Sequence, residues 1–292
     1  MSTSSISTSS VEVFDDRLFF PESPRWHDGA LWVSDIQHRT VFRYDPDGRR
    51  VPVAAFAADQ SGIGFDAAGR LFAVSMPDCR LLTVAEDGIH QVADLTPLNP
   101  VLCNDLAVAS DGTAYVTQLG FDMWGGGQFQ LSRVIRVRPD GTAEEIGPPM
   151  ASPNGIVLSP DERTLYVSES GGGKIQALST AADPADAGKV FAELAPAAGS
   201  PLPVSTPDGI CLDSAGGIWA ADPTGHRVVR LDSAGALTDQ IDFGDDQPLA
   251  VALGGEENRT LFICVVTDSN LHAPRVKPTG RIMTTAVQIP GL

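Results

Sequence analysis

Four side chains with oxygen donors stand at matching distances ahead of an aromatic landmark. Glu22, Asn104, Asn154 and Asp208 lie ten, eleven, twelve and eleven residues before Trp32, Tyr115, Tyr166 and Trp219. Their settings are Pro-Glu-Ser-Pro, Cys-Asn-Asp-Leu, Pro-Asn-Gly-Ile and Pro-Asp-Gly-Ile. Two carboxylates and two amide carbonyls brought to one point make an oxygen-rich, negatively charged site. Such a site suits one hard divalent ion, Ca²⁺ first, then Mg²⁺ or Mn²⁺, with Zn²⁺ admitted at an open catalytic centre. An ion there could hold a carbonyl or an attacking water and stabilise the negative oxygen that develops, which is metal-assisted hydrolysis. Taken singly, Asn-Gly and Asp-Gly are common turn dipeptides. Four polar residues at one register argue for a shared site.

The register comes from an internal repeat. The segments LWVSD, LFAVS, AYVTQ, LYVSE, IWAAD and LFICV each place an aromatic second, at Trp32, Phe72, Tyr115, Tyr166, Trp219 and Phe262, with spacings of 40, 43, 51, 53 and 43. A period of this size marks propeller blades. Three residues before each aromatic stand Gly29, Gly69, Gly112, Arg163, Gly216 and Arg259, and glycine there supplies the positive φ of a tight hairpin. Alternating apolar and polar residues before and after predict an inner strand, the aromatic strand, a third and a fourth, the sheet of one blade. No amphipathic helix supports an α/β barrel. The fold class expected is all-β: one six-bladed propeller over residues 11–292, with a central channel metal site and a disordered tail at 1–10. The stretch Val11 to Phe14 is expected to pair with the last blade and close the ring. Equivalent positions then circle the axis, and the two other ring positions are Gly62 and Ala250.

Composition excludes some partners. A net charge of −17, from 20 Lys and Arg against 37 Asp and Glu, opposes nucleic-acid binding. The Ser/Thr-rich start lacks a signal-peptide pattern and no stretch has the apolar length of a membrane span, so a cytoplasmic protein with no membrane partner is expected. Cys79, Cys103, Cys211 and Cys264 are scattered and read as buried thiols. Strand alternation points Cys103 away from its neighbour Asn104, against a nucleophilic role. No Gly-x-Ser-x-Gly elbow is present. Asp35, Gln118, Glu169 and Asp222, at the ends of the aromatic strands, return to the face of the ring and are expected mainly to cap loops.

The stretches FPESPRWHDGALWVSD, CNDLAVASDGTAYVT, SPNGIVLSPDERTLYVSES and TPDGICLDSAGGIWAAD resemble the gluconolactonase and senescence-marker-protein-30 (regucalcin-like) family. The resemblance implies a metal-dependent lactonase with Glu22, Asn154 and Asp208 as metal ligands and Asn104 in contact with a small lactone or ester substrate. Asp208 is the candidate to accept a proton from the attacking water. Rival classes are a metal-free propeller enzyme of the strictosidine-synthase kind and a non-enzymatic calcium-binding propeller.

Spacing also marks two insertions. From aromatic to following strand the distance is nine residues in four blades, but nineteen from Tyr115 to Val134 and twenty from Phe262 to Ile282. These loops are expected to face each other across the channel mouth. Phe121, Met123 and Trp124 would give an apolar wall, and His272, Arg275 and Lys277 a basic one. Sugar-lactone-hydrolysing animal relatives resemble Arg-x-Asn before the ring Asn, where this chain has Leu102. The expected substrate is therefore a lactone or ester more apolar than gluconolactone, with room for a carboxylate near Arg275, and with Leu102, Phe121 and Trp124 contributing to its binding.

Overall fold

The computed structural model describes residues 4–6, 11–122, 125–181, 183, 185–273 and 275–292. Six sheets, each built on four antiparallel strands, are arranged around one axis. From inside outward, blade 1 is Pro21–His27, Ala30–Asp35, Thr40–Tyr44 and Arg50–Ala55. Blade 2 is Gln60–Phe65, Leu71–Ser75, Arg80–Ala85 and Gly88–Asp94, and blade 3 is Cys103–Val108, Ala114–Gln118, Ser132–Val137 and Ala143–Met150. Blade 4 is Pro153–Leu158, Thr164–Glu169, Lys174–Ser179 and Lys189–Glu193, and blade 5 is Ile210–Leu212, Ile218–Asp222, Arg227–Leu231 and Leu237–Asp242. Blade 6 is Gln247–Gly254, Thr260–Val266 and Gly280–Ala286, completed by Glu12–Leu18 from the start of the chain. That N-terminal strand pairs antiparallel with Gly280–Ala286, so the ring closes as the sequence suggests. Within the segment expected to be a tail, Ser4–Ile6 adds a parallel strand to the edge of blade 5.

All six landmark aromatics lie on second strands. Apolar side chains from neighbouring blades interlock in clusters, for example Leu81 and Leu95 of blade 2 against Leu106 and Val116 of blade 3. Gly29, Gly69, Gly112 and Gly216 take the positive φ expected of them; in blades 4 and 6, Glu162 and Asn258 take it one position before Arg163 and Arg259.

The inner strands change register at the level of the ring. Shifts fall between Glu22 and Arg25, Gln60 and Ile63, Cys103 and Leu106, Pro153 and Ile156, and Pro248 and Ala250. Such bulges re-aim side chains and concentrate beside functional sites. Asn154-Gly155 lies inside the strand Pro153–Leu158 and Asp208-Gly209 leads directly into Ile210–Leu212, and neither glycine has a positive φ. A Cβ on Gly155 would come within 2.3 Å of the Asp208 carbonyl oxygen, and one on Gly209 within 2.4 Å of the Ala250 Cβ. Glycine at these two positions lets adjacent inner strands approach closely around the axis.

Candidate functional site

At one end of the channel a cavity of about 330 Å³ opens toward solvent. Glu22, Asn104, Asn154 and Asp208 all line it, so four blades deliver their ring residues to one place. Asn104 Nδ2 donates to Asn154 Oδ1, and Asn154 in turn hydrogen-bonds the Asp208 carboxylate. Thr117 Oγ1 donates to the Asn154 carbonyl at 2.7 Å and Ser168 Oγ to the Asp208 carbonyl at 2.6 Å. Asn154 and Asp208 are thereby each anchored by a hydroxyl of the preceding blade.

The two acids are half-buried in the lining of the cavity. Burial pushes the Glu22 carboxyl up to about 8; the charge of Asp105 adds to this, while the Ser23 backbone N–H and Arg25 oppose it. Asp208 is pushed well above the usual carboxylate range, first by burial, then by the charges of Glu22 and Asp105. Two desolvated acids that repel each other gain from a cation between them. Among the described residues no three His, Cys, Asp or Glu side chains form a metal-holding group. The donors here are instead two carboxylates with two carboxamides, hard oxygen donors of net negative charge that fit a divalent ion such as Ca²⁺.

Beneath the ring lies an ion pair to which the repeat register does not point. Asp105 is 3% exposed. Its Oδ1 accepts from Arg25 Nη2 at 2.7 Å, Ser23 Oγ at 3.2 Å and Leu106 N at 2.8 Å, and its Oδ2 from Ile156 N at 3.3 Å. One carboxylate therefore ties the inner strands of blades 1, 3 and 4 together, next to Glu22, Asn104 and Asn154. The sequence signal is slight: Asp105 follows Asn104, and Arg25 is a charged residue inside an inner strand.

Leu119, Phe121 and Phe129 of the blade 3 insertion border the cavity, as do Ser269 and Leu271 of the blade 6 insertion. Met123 and Trp124 lie outside the described residues. Leu102 does not line the cavity; it takes a left-handed φ of 53° and accepts the Leu119 N–H at 3.0 Å. The expected basic wall is corrected by the geometry. His272 and Lys277 are exposed and do not line the cavity, and the Arg275 guanidinium donates to the carbonyls of Asp268, Asn270 and Ala273 while lying 4.9 Å over the Phe20 ring. It fastens its own loop, leaving Leu271 as the apolar side chain that faces the cavity. A third wall, Leu202, Val204 and Thr206 from the connection between blades 4 and 5, goes beyond the two loops expected. Its sequence signal is the long spacing of 53 between Tyr166 and Trp219. Cys103, fully buried, packs between blades 2 and 3.

Among the described residues no helix is long and apolar enough to cross a membrane. The chain is 26% identical over 257 residues to the pentonolactonase of Haloferax volcanii, a match covering 87% of this chain and 84% of that protein. It is 28% identical to a gluconolactonase of Zymomonas mobilis, over 87% of this chain and 62% of the relative. The solved structure of a calcium-binding protein, regucalcin, from Agrobacterium tumefaciens superposes with a TM-score of 0.78 over 100% of this chain and 98% of that one, at 18% identity, which is a likeness of fold. The profile of the SMP-30/Gluconolactonase/LRE-like region matches residues 20–267, and with a six-bladed ring that carries its polar residues at one end of the channel, the chain belongs to that family.

Proposed function

We propose that the protein hydrolyses a lactone or similar ester at a divalent ion held by Glu22, Asn154 and Asp208. The observation that carries this reading is the gathering of these three side chains and Asn104 at the floor of one cavity, with both acids destabilised as anions by burial and by neighbouring negative charge. The lactonases among the relatives support the reaction class. When bound, a hard ion supplies electrophilic activation of the lactone carbonyl and makes water a better nucleophile near neutral pH.

The protein supplies position and proton transfer. The Asn104 amide, already directed at the ring, orients the substrate oxygen. Asp208 accepts a proton as water adds to the carbonyl carbon; the ring C–O bond then breaks, and the proton passes to the departing alkoxide, giving the open hydroxy acid. Thr117, Ser168 and Asp105 hold these groups in place through the strands that carry them. Fixed dipoles and charges of this kind lower a barrier because they need no reorganisation during reaction.

The test is lactone hydrolysis, followed by proton release, in wild type and in Asp208→Asn. The expected loss in turnover is on the order of 10³-fold, with the folded state retained. Hydrolysis undiminished in the variant would contradict the assignment. Calcium binding by the wild type without turnover of any lactone would instead favour a non-enzymatic calcium-binding propeller.

A further inference from the structure

We infer that the lactone this site accepts is neutral and carries an apolar substituent several carbons long; the inference rests on the hydrolytic reading above. Among the described residues, the charged side chains lining the cavity are Glu22 and Asp208, both at its floor, and neither Lys nor Arg lines it. Above the floor the walls are apolar, with Phe20, Met76, Leu119, Phe129, Leu202 and Leu271 contributed by different blades and loops.

Of the five hydroxyls that line the cavity among the described residues, those of Ser152, Ser170, Thr206 and Thr224 are engaged with the protein, and Ser269 is the one left to meet a ligand. Ser152 and Ser170 donate to the carbonyls of Leu119 and Pro207 at 2.7 Å each, and Thr206 and Thr224 pair with each other at 2.7 Å. A polyhydroxylated lactone would bring several hydroxyls against carbon, and a polar group buried without a partner is strongly disfavoured. Away from the ion that Glu22 and Asp208 would hold, a carboxylate on the substrate would meet no lining Lys or Arg.

The cavity volume is at the lower end of the range for small-molecule pockets, enough for a lactone ring and a chain. At the mouth Phe129 and Leu202 are 49% and 42% exposed. Large apolar side chains standing in solvent at a cavity rim are what the far end of an apolar substituent would cover.

The experiment measures kcat/KM for neutral γ-lactones whose alkyl chain grows from none to octyl, beside gluconolactone and a chain ending in a carboxylate. Each buried methylene should raise kcat/KM about fourfold, the equivalent of about 0.8 kcal/mol, until the cavity is filled. The alkyl lactones should exceed both polar comparators, and Leu202→Asp should reduce the slope with chain length. Hydrolysis with a flat chain-length profile, or with gluconolactone preferred, overturns the substrate class while leaving lactone hydrolysis intact. If no lactone is turned over, the hydrolytic reading falls, and calorimetric binding of the matching alkyl lactams decides the rest. Affinity rising with chain length keeps the apolar ligand class, and affinity independent of it overturns that class as well.

Discussion

Blades 1, 3, 4 and 5 present Glu22, Asn104, Asn154 and Asp208 to the channel, whereas blades 2 and 6 present Gly62 and Ala250 at the equivalent positions. The contrast continues three residues past each landmark aromatic, at the end of the second strand. In blades 1, 3, 4 and 5 that residue is Asp35, Gln118, Glu169 or Asp222, each at most 5% exposed. Each reaches back to the backbone just ahead of the ring residue: Asp35 accepts Phe20 N at 2.8 Å, Gln118 accepts Val101 N at 3.2 Å, Glu169 accepts Ala151 N at 2.9 Å and Asp222 accepts Thr206 N at 3.1 Å. In blades 2 and 6 the position holds Ser75, whose hydroxyl turns to Asp78, and Val265, which is fully buried. A ring position that only fills space has no such bracket. One that must aim a polar group has the approach to its strand fixed by a buried acceptor, and burying that acceptor is itself costly unless it is hydrogen-bonded. In an otherwise regular repeat, each blade with a polar ring residue is thus marked twice.

The sharpest way to break this comparison is to remove the brackets. Glu169→Ala and Asp222→Ala should each lower kcat/KM by about 10- to 100-fold, the range found when groups that orient a site are removed. Ser75→Ala should change kcat/KM less than about twofold, as expected away from such features. Equal effects at Asp222 and Ser75 would mean that the brackets stabilise blades in general and do not serve the ring.

A smaller effect sharpens the same contrast through pH. In the metal-free protein Glu22 holds its proton up to about 8 in the folded state, against an ordinary value of 4.5. Between those values the folded state binds more protons than the unfolded chain, so stability must fall as pH rises through that window. Asp208, also raised, acts in the same sense. The melting temperature of the chelated protein should therefore drop by several degrees from about pH 5 to about pH 8, and Glu22→Gln should flatten the trend. A chelated wild type whose melting temperature is flat, or rises, across that window would show that the acid pair is not strained as described.

Much of the ring is legible in the amino-acid sequence. The six aromatics and their preceding turns repeat because each blade solves the same packing problem, so register can be counted along the chain. Glu22, Asn104, Asn154 and Asp208 stand out because a shared register outweighs the turn-forming habit of Asn-Gly and Asp-Gly. What those glycines do is not legible, since the atoms Gly155 and Gly209 make room for belong to the next blade. The Arg25–Asp105 pair escapes notice for a similar reason: its partners lie eighty positions apart and meet only when blades 1 and 3 face the axis. Arg275 misleads because the residue type suggests a charged wall, while its orientation depends on loop carbonyls that only the folded loop gathers. Side chains set by the repeat can be read along the chain, but those set by loop conformation cannot.

The central claim is that a single divalent ion at the floor of the cavity is needed for hydrolysis. The direct measurement is lactone hydrolysis by chelated protein as Ca²⁺, Mg²⁺, Mn²⁺ or Zn²⁺ is added in known ratio to the chain, with melting temperature followed in parallel. The expected result is negligible turnover without metal, then activity and stability rising together to a plateau at one ion per chain, with both responses lost in Asp208→Asn. Full hydrolysis in the presence of chelator, with a melting temperature unchanged by any of the four ions, would contradict it.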